Sequence, residues 1–148
     1  MAIHHFEREI AIAAPLARVF EELSEPARFL GLQPLLTEVR EVAAAPGVRA
    51  FEAVERVVLF GPIAVKNHLR VELTPRPAEQ RIGFATRAPL GIRIEGGFAL
   101  EAEGTATRVN ESVALRCPFG LSRFVLREAT RAQDALLANL KRRIEAAR

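Results

Sequence analysis

The feature that most constrains the fold of this chain is a change of sequence period close to Gly120. Between Thr37 and Cys117, apolar and polar residues alternate in short runs, which is the pattern of β-strands buried on one face. Residues 121–147 contain no proline or glycine, and their apolar residues recur at helical spacing. They predict one helix about 40 Å long. Because no other segment is long enough to cover the apolar face of the strands, this helix must lie across it.

Turn signals at regular intervals divide the strand region into six strands. They are Pro46-Gly47, Gly61-Pro62, Pro75-Arg76-Pro77, Pro89-Leu90-Gly91 and Glu103-Gly104-Thr105. Such short connections predict antiparallel neighbours. The segment before Thr37 adds an alternating strand over residues 5–13, a short helix over 16–23 after Pro15, and a second short helix over 27–31. The sequence therefore predicts a single α+β domain over residues 1–148.

The composition excludes several classes of protein. The single cysteine, Cys117, cannot form a disulfide within the chain or a zinc ribbon, and it fits a small buried apolar residue. The net charge is +3, but no run of Lys or Arg occurs beyond Arg142-Arg143, so no nucleic-acid partner is expected. No apolar segment suits a signal peptide and none is long enough to span a membrane, so we expect a cytoplasmic protein.

The chain also carries a family resemblance, which spans residues 5–147. The residues that carry it are Ile10-Ala11-Ile12-Ala13-Ala14-Pro15, Val19-Phe20, Leu23-Ser24, Glu25-Pro26, Pro34 and Gly61. They match a strand that ends at Ala-Pro, a helix that ends at an acidic-Pro step, a proline before the second strand and a glycine at the turn between the third and fourth strands. This order resembles the START/SRPBCC superfamily, which includes birch-pollen-allergen-like proteins and polyketide cyclase/dehydrase-like bacterial proteins. One position departs from the pattern, because Leu32 stands near the place where the family usually has a tryptophan.

The resemblance implies a helix-grip fold, in which a curved seven-stranded antiparallel sheet wraps around the long C-terminal helix and two short helices follow the first strand. It also implies a cavity for an apolar small molecule between sheet and helix. The inward stripe of the long helix is small in its middle, at Ala129, Ala132 and Ala135. Alanines that face a concave sheet leave volume that side chains do not fill. The high helix propensity of alanine is an alternative explanation of the same stripe.

The aromatic residues are nine phenylalanines, with no tyrosine or tryptophan. Alternation places three of them on the inward faces of strands, and two flank the start of the long helix. Such a set lines an apolar-ligand pocket or simply fills a core. The segments predicted to gate the pocket are 89–91 and 29–36. The predicted ligand-binding residues are Phe51, Asn67, Phe84, Thr86, Phe98, Phe119, Phe124, Ala129 and Ala132.

Alternation also places charged side chains on inward faces. Arg8, Glu55, Glu111 and Glu128 are the candidate catalytic residues, because a carboxylate on an apolar face is costly unless it is paired or neutral. Arg8 is a suitable partner for Glu55 or Glu111. The alternative is that bulges shift the register, so that these groups face solvent or pair only structurally.

The sequence predicts neither a metal site nor a cofactor. His4 and His5 lie at the terminus, and His68 falls on a strand face that is expected to be exposed. No set of His, Cys, Asp and Glu has the spacing of metal ligands. Gly96-Gly97, inside a strand, indicates a bulge or a bend of the sheet rather than a phosphate-binding loop.

Three functions remain open at this point. The favoured one is binding or transport of a hydrophobic small molecule, such as a lipid, a quinone or a polyketide-like aromatic compound, by a monomer or homodimer. The second is a cyclase/dehydratase-type enzyme in which the candidate catalytic residues transfer protons. The third is a protein-interaction module that makes transient membrane or protein contacts through the arginine-rich face of the terminal helix. The arginines of that face are Arg123, Arg127, Arg131, Arg142 and Arg143.

Overall fold

The computed structural model describes residues 1–147. Within that range the strands are β1 (Ala2–Ile12), β2 (Leu36–Val42), β3 (Arg49–Phe60), β4 (Ile63–Arg76), β5 (Arg81–Arg87), β6 (Arg93–Glu103) and β7 (Ala106–Cys117). The α-helices are α1 (Leu16–Ser24) and α2 (Ser122–Ala146). Short 3₁₀ turns span Pro26–Phe29, Pro77–Glu79, Pro89–Gly91 and Phe119–Leu121.

The strands form one antiparallel sheet in the order β1-β7-β6-β5-β4-β3-β2. Helix α2 lies on one face of this sheet, which we call the inner face, and contacts β1 and β7. The opposite, outer face meets solvent, as the alternation of buried and exposed residues along β7 illustrates. The helix-grip fold expected from the resemblance is confirmed.

The helices begin and end close to the predicted positions, with two differences. The second short helix is only the 3₁₀ turn at Pro26–Phe29, because Leu30 returns to extended backbone and Gly31 adopts a left-handed conformation with φ +89°. Helix α2 begins at Ser122, because the preceding Phe119–Leu121 segment forms a separate 3₁₀ turn.

The C-terminal half of α2 rests on a filled core. Leu136, Leu140 and Ile144 are at most 3% exposed and belong to one buried cluster with Leu23 of α1 and Ile12 of β1. The N-terminal half of α2 carries small residues on the same side, among them Ala129 and Ala132. The interior is therefore closed at one end of the helix and open at the other.

A buried carboxylate joins α1 to the end of α2. Glu22 is 1% exposed, and its Oε1 lies 2.8 Å from Arg18 and 2.5 Å from Arg28. Arg143 of α2 lies 3.6 Å from the other oxygen and donates hydrogen bonds to the backbone carbonyls of Arg28 and Leu30. Because three cations surround this one carboxylate, the cluster fixes α1 against α2. Arg143 is therefore a structural residue rather than part of an exposed arginine-rich face.

Gly96 of β6 permits a close approach of strands beside the interior void. A Cβ atom at this position would lie 1.9 Å from the carbonyl oxygen of Ser112 and 3.1 Å from the ring of Phe84. The Phe84 ring covers Gly96 and packs against Phe98 with 5.3 Å between ring centroids. The glycine therefore allows both the strand pairing and the aromatic contact.

We expect Gly96→Ala to lower the free energy of unfolding by about 3 kcal/mol, because the added methyl group overlaps a carbonyl oxygen held in the sheet. Gly83→Ala in β5 is the matched control, since a Cβ atom there would meet nothing nearer than 3.8 Å. Its free energy of unfolding is expected to change by about 0.5 kcal/mol or less. Urea unfolding followed by circular dichroism measures both, and equal losses would contradict this role of Gly96.

Candidate functional site

A cavity of about 330 Å³ lies between the inner face of the sheet and the N-terminal half of α2. Ala129 and Ala132 form part of its α2 wall, and their short side chains leave space between the helix and the sheet unfilled. Its volume falls in the range of small-molecule sites. The alanine stripe of the sequence thus accompanies a real void, although Ala135 is not part of its wall.

Phenylalanine rings form much of the cavity wall. Phe51, Phe84 and Phe98 lie there on strands, as strand alternation predicts, and Phe124 lies there at the start of α2. Phe29, from the 3₁₀ turn after α1, is a further wall residue that the sequence analysis placed only within a gating segment. Its ring stacks on Phe51 with 5.9 Å between centroids, so the turn closes one side of the cavity.

Polar side chains occur together on the wall formed by β3, β4 and α2. Asn67 Nδ2 donates a long hydrogen bond of 3.4 Å to Glu55 Oε1, and Gln33 also bonds the Glu55 carboxylate. Burial raises the pKa of Glu55, against the opposing effect of the Asn67 and Gln33 hydrogen bonds, and the charge of Glu128 raises it further. The predicted residues Asn67, Thr86, Glu55 and Glu128 all line the cavity.

The cavity has an unbalanced charge. Among the described residues that line it, Glu55 and Glu128 are ionisable, and neither lysine nor arginine contributes to the wall. The buried carboxylate of Glu22, by contrast, has arginine partners. The two cavity carboxyls therefore retain unused capacity to accept hydrogen bonds or a positive charge.

The mouth of the cavity lies at one end of the sheet. Leu59, Val65, Leu90 and Leu121 line the cavity, and each is also between 37% and 69% exposed. They come from the β3–β4 hairpin, the β5–β6 connection and the turn before α2. The 89–91 segment, one of the two predicted gating segments, thus forms part of the mouth.

Three predicted site residues lie elsewhere. Phe119 is 73% exposed and does not line the cavity, because the 3₁₀ turn before α2 directs it outward. Arg8 pairs with neither Glu55 nor Glu111: its guanidinium lies 2.5 Å from Asp134 of α2 and donates to the Glu7 carbonyl. Glu111 is buried beneath α2 but outside the cavity wall.

Glu111 is a buried carboxyl group without a hydrogen-bond partner. Its side chain is 1% exposed, and within residues 1–147 neither carboxyl oxygen has a donor. Burial raises its pKa to about 8, the charge of Asp134 raises it too, and Arg8 opposes both. The group is thus largely protonated at neutral pH, and its place outside the cavity separates it from any ligand held there.

Among the described residues, the cavity lining includes none of the histidine and cysteine side chains. His4 bonds the Ser122 hydroxyl at the start of α2, His68 is exposed on the outer face, and Cys117 is fully buried. In the part of the chain that the structure describes, no three side chains of His, Cys, Asp and Glu are grouped as metal ligands. The described helices include none that is long and apolar enough to cross a bilayer.

We expect the stability of the protein to fall as pH rises from 4.5 to about 8, by on the order of 4 kcal/mol from Glu111 alone. The unfolded chain loses this proton near pH 4.5 and the folded chain near 8, so between these values the folded state binds the extra proton. Glu111→Gln removes the titrating group and should flatten the profile. Urea unfolding at several pH values measures it, and a variant with the slope of the unchanged protein would refute the assignment.

Solved structures with the same fold are similar over nearly the whole chain. A protein from Thermus thermophilus, TTHA0849, is 21% identical with a TM-score of 0.79, over 97% of this chain and 99% of that one. A START superfamily protein from Mycobacterium smegmatis is 14% identical with a TM-score of 0.80, over 98% and 99%. The Zhui aromatase/cyclase from Streptomyces is 18% identical with a TM-score of 0.75, over 99% and 98%.

These identities support the fold alone, and no curated protein matches the sequence significantly. A family model supplies the assignment. The model described as polyketide cyclase / dehydrase and lipid transport matches residues 4–145, which is almost all of the sheet and α2. The chain therefore belongs to the polyketide cyclase / dehydrase and lipid transport family.

Proposed function

We propose that this protein is a single-domain carrier that binds a hydrophobic small molecule in the cavity between the sheet and α2. The observation that carries the proposal is the void of about 330 Å³, which is walled by phenylalanine and aliphatic side chains where a folded domain would normally be packed. Transfer of an apolar ligand into such a space removes its surface from water and restores contacts that the wall residues lack.

The family description and the neighbouring aromatase/cyclase are compatible with this role and leave the ligand open. The charges of the cavity wall restrict the chemical class of the ligand. Because Glu55 and Glu128 face the cavity without a cation, an anionic head such as a fatty-acid carboxylate would be repelled. The favoured ligand has an apolar body and a polar end that donates hydrogen bonds, either a hydroxyl group or a protonated amine.

Acid–base catalysis of the cyclase/dehydratase type is the second candidate function. The observation in its favour is the raised pKa of Glu55 beside Glu128 and the Asn67 amide, since a catalytic carboxyl needs a pKa near the working pH. Arg8 and Glu111 lie outside the cavity and have no part in this candidate. If the double variant Glu55→Gln with Glu128→Gln kept the turnover rate of the unchanged protein, acid–base catalysis by these two carboxyls would be excluded.

Filling the void is the direct test of binding. Ala132→Phe places a ring in the cavity, so it should abolish binding of the neutral apolar dye Nile red while the protein stays folded. Ala138→Phe is the matched control, because Ala138 is on the exposed side of the same helix and the variant should bind the dye normally. Dye fluorescence titration measures both. Equal binding by the two variants would contradict a ligand site in this cavity.

Three ligands that share the same alkyl chain and differ only in the head group test the charge of the site. Decylamine and decanol should displace the dye at concentrations about tenfold lower than decanoate, because only decanoate brings a negative charge toward Glu55 and Glu128. In the double variant Glu55→Gln with Glu128→Gln, the three compounds should displace the dye at similar concentrations. Glu52→Gln is the control, since it removes a carboxylate on the same strand from the opposite face. Preference for decanoate by the unchanged protein would refute the head-group assignment.

A further inference from the structure

The outer face of the sheet carries a row of four arginines beside the cavity mouth. The strand register sets Arg70 opposite Arg87, Arg87 opposite Arg93, and Arg93 opposite Arg116, on β4, β5, β6 and β7. We call these four residues the arginine row. At the spacing of neighbouring strands the row is about 15 Å long. Like charges directly opposite one another destabilise a sheet, so the row costs the protein stability.

The arginine row is largely without acidic partners. Arg70 lies 3.6 Å from Glu72, whereas Arg87, Arg93 and Arg116 are exposed and have no carboxylate within 4 Å among residues 1–147. Several other strand arginines are paired with carboxylates, as in the pairs Arg40–Glu52, Arg49–Glu41 and Arg108–Glu103. In the row, by contrast, three arginines without such a partner lie side by side on neighbouring strands.

The most exposed large apolar side chains lie at the same end of the sheet. In the described chain they are Phe119, Leu90 and Phe60, at 73%, 69% and 68% exposure. Each comes from a different connection: the turn before α2, the β5–β6 connection and the β3–β4 hairpin. In an antiparallel meander these three connections are at one end, which is also the end where the cavity opens. We call the three residues the apolar rim.

Leu90 adopts a backbone conformation that its residue type disfavours. Its φ of 66° and ψ of 22° are left-handed, a region where glycine and asparagine are common and leucine is an outlier. The strain is retained although the side chain is 69% exposed and packs against little. An exposed apolar side chain held at a cavity mouth by strained backbone is suited to a contact outside this chain.

We propose that the apolar rim and the arginine row together dock this protein on a membrane that contains anionic lipids. The rim residues would enter the interface between head groups and acyl chains, and the arginines beside them would bind the lipid phosphates. Charge complementarity selects this occupant, and three separate apolar projections suit a fluid lipid surface. The cavity mouth would then face the membrane. This docking surface is inferred from the apolar rim and the arginine row, and it does not depend on which ligand the cavity binds.

Vesicle flotation tests the docking surface. The full chain should float with vesicles of equal parts phosphatidylcholine and phosphatidylglycerol, should bind pure phosphatidylcholine vesicles at least about tenfold more weakly, and should be released by added salt. Arg93→Gln with Arg116→Gln should weaken binding at least about tenfold. The matched control is Arg76→Gln with Arg81→Gln, another pair of opposed outer-face arginines at the other end of β5. Its vesicle binding should fall only by the small amount that the loss of two positive charges causes at any position on the surface.

The apolar part of the surface needs a variant that cannot fail by unfolding. Leu90→Asn places a residue suited to left-handed backbone at the strained position, so its melting temperature should match or exceed that of the unchanged protein while vesicle binding falls several-fold. Because the chain has no tryptophan, Phe119→Trp supplies a single reporter whose fluorescence should shift to the blue on anionic vesicles.

Three outcomes would overturn the proposal: no flotation with anionic vesicles, equal binding of neutral vesicles, or equal losses in the two arginine pairs. Absence of vesicle binding together with salt-sensitive capture by an acidic protein would assign the arginine row to a protein partner instead. Nile red binding in solution is measured separately, so a protein that binds the dye but no vesicles refutes membrane docking and leaves the carrier function intact.

Discussion

The structure depends on one constraint: the inner face of a seven-stranded sheet has to be covered, and the long helix α2 and the shorter α1 share that face. Helix α2 meets this demand over only half of its length. Where it presents Leu136, Leu140 and Ile144, the interior is filled, and where it presents Ala129 and Ala132, a void of about 330 Å³ remains. Side-chain size along one face of α2 thus sets which part of the interior is filled and which part is empty.

Charged side chains are distributed as unevenly over the sheet as the empty volume is along α2. Inside, Glu55 and Glu128 face the void without a cation, and outside, the arginine row has few carboxylates. The two sets of charges lie on opposite faces of the sheet, because Glu55 of β3 and Glu128 of α2 line the cavity, whereas the arginines point outward from β4 to β7. The buried carboxylate of Glu22, by contrast, is surrounded by arginines that fix α1 against α2.

Much of the candidate site could be predicted because strand alternation is strict. The faces of Phe51, Asn67, Phe84 and Thr86 follow from period two alone. Phe29 and Gln33 escaped the same reasoning, since they lie in a turn without a period and reach the cavity only because the chain folds back over β3. Phe119 was assigned inward from its proximity to α2, and the 3₁₀ turn directs it to solvent.

The sequence by itself determined the number and order of the elements, the antiparallel sheet, the helix that covers it and the side chains that face inward, because these follow from period and from short turns. Only the tertiary structure decided which inward side chains share a space. Arg8 and Glu111 are inward and cross-strand neighbours, yet α2 supplies Asp134 to one and buries the other apart from the cavity. The arginine row likewise required the strand register, because Arg70, Arg87, Arg93 and Arg116 lie on four different strands and become direct neighbours only in the sheet.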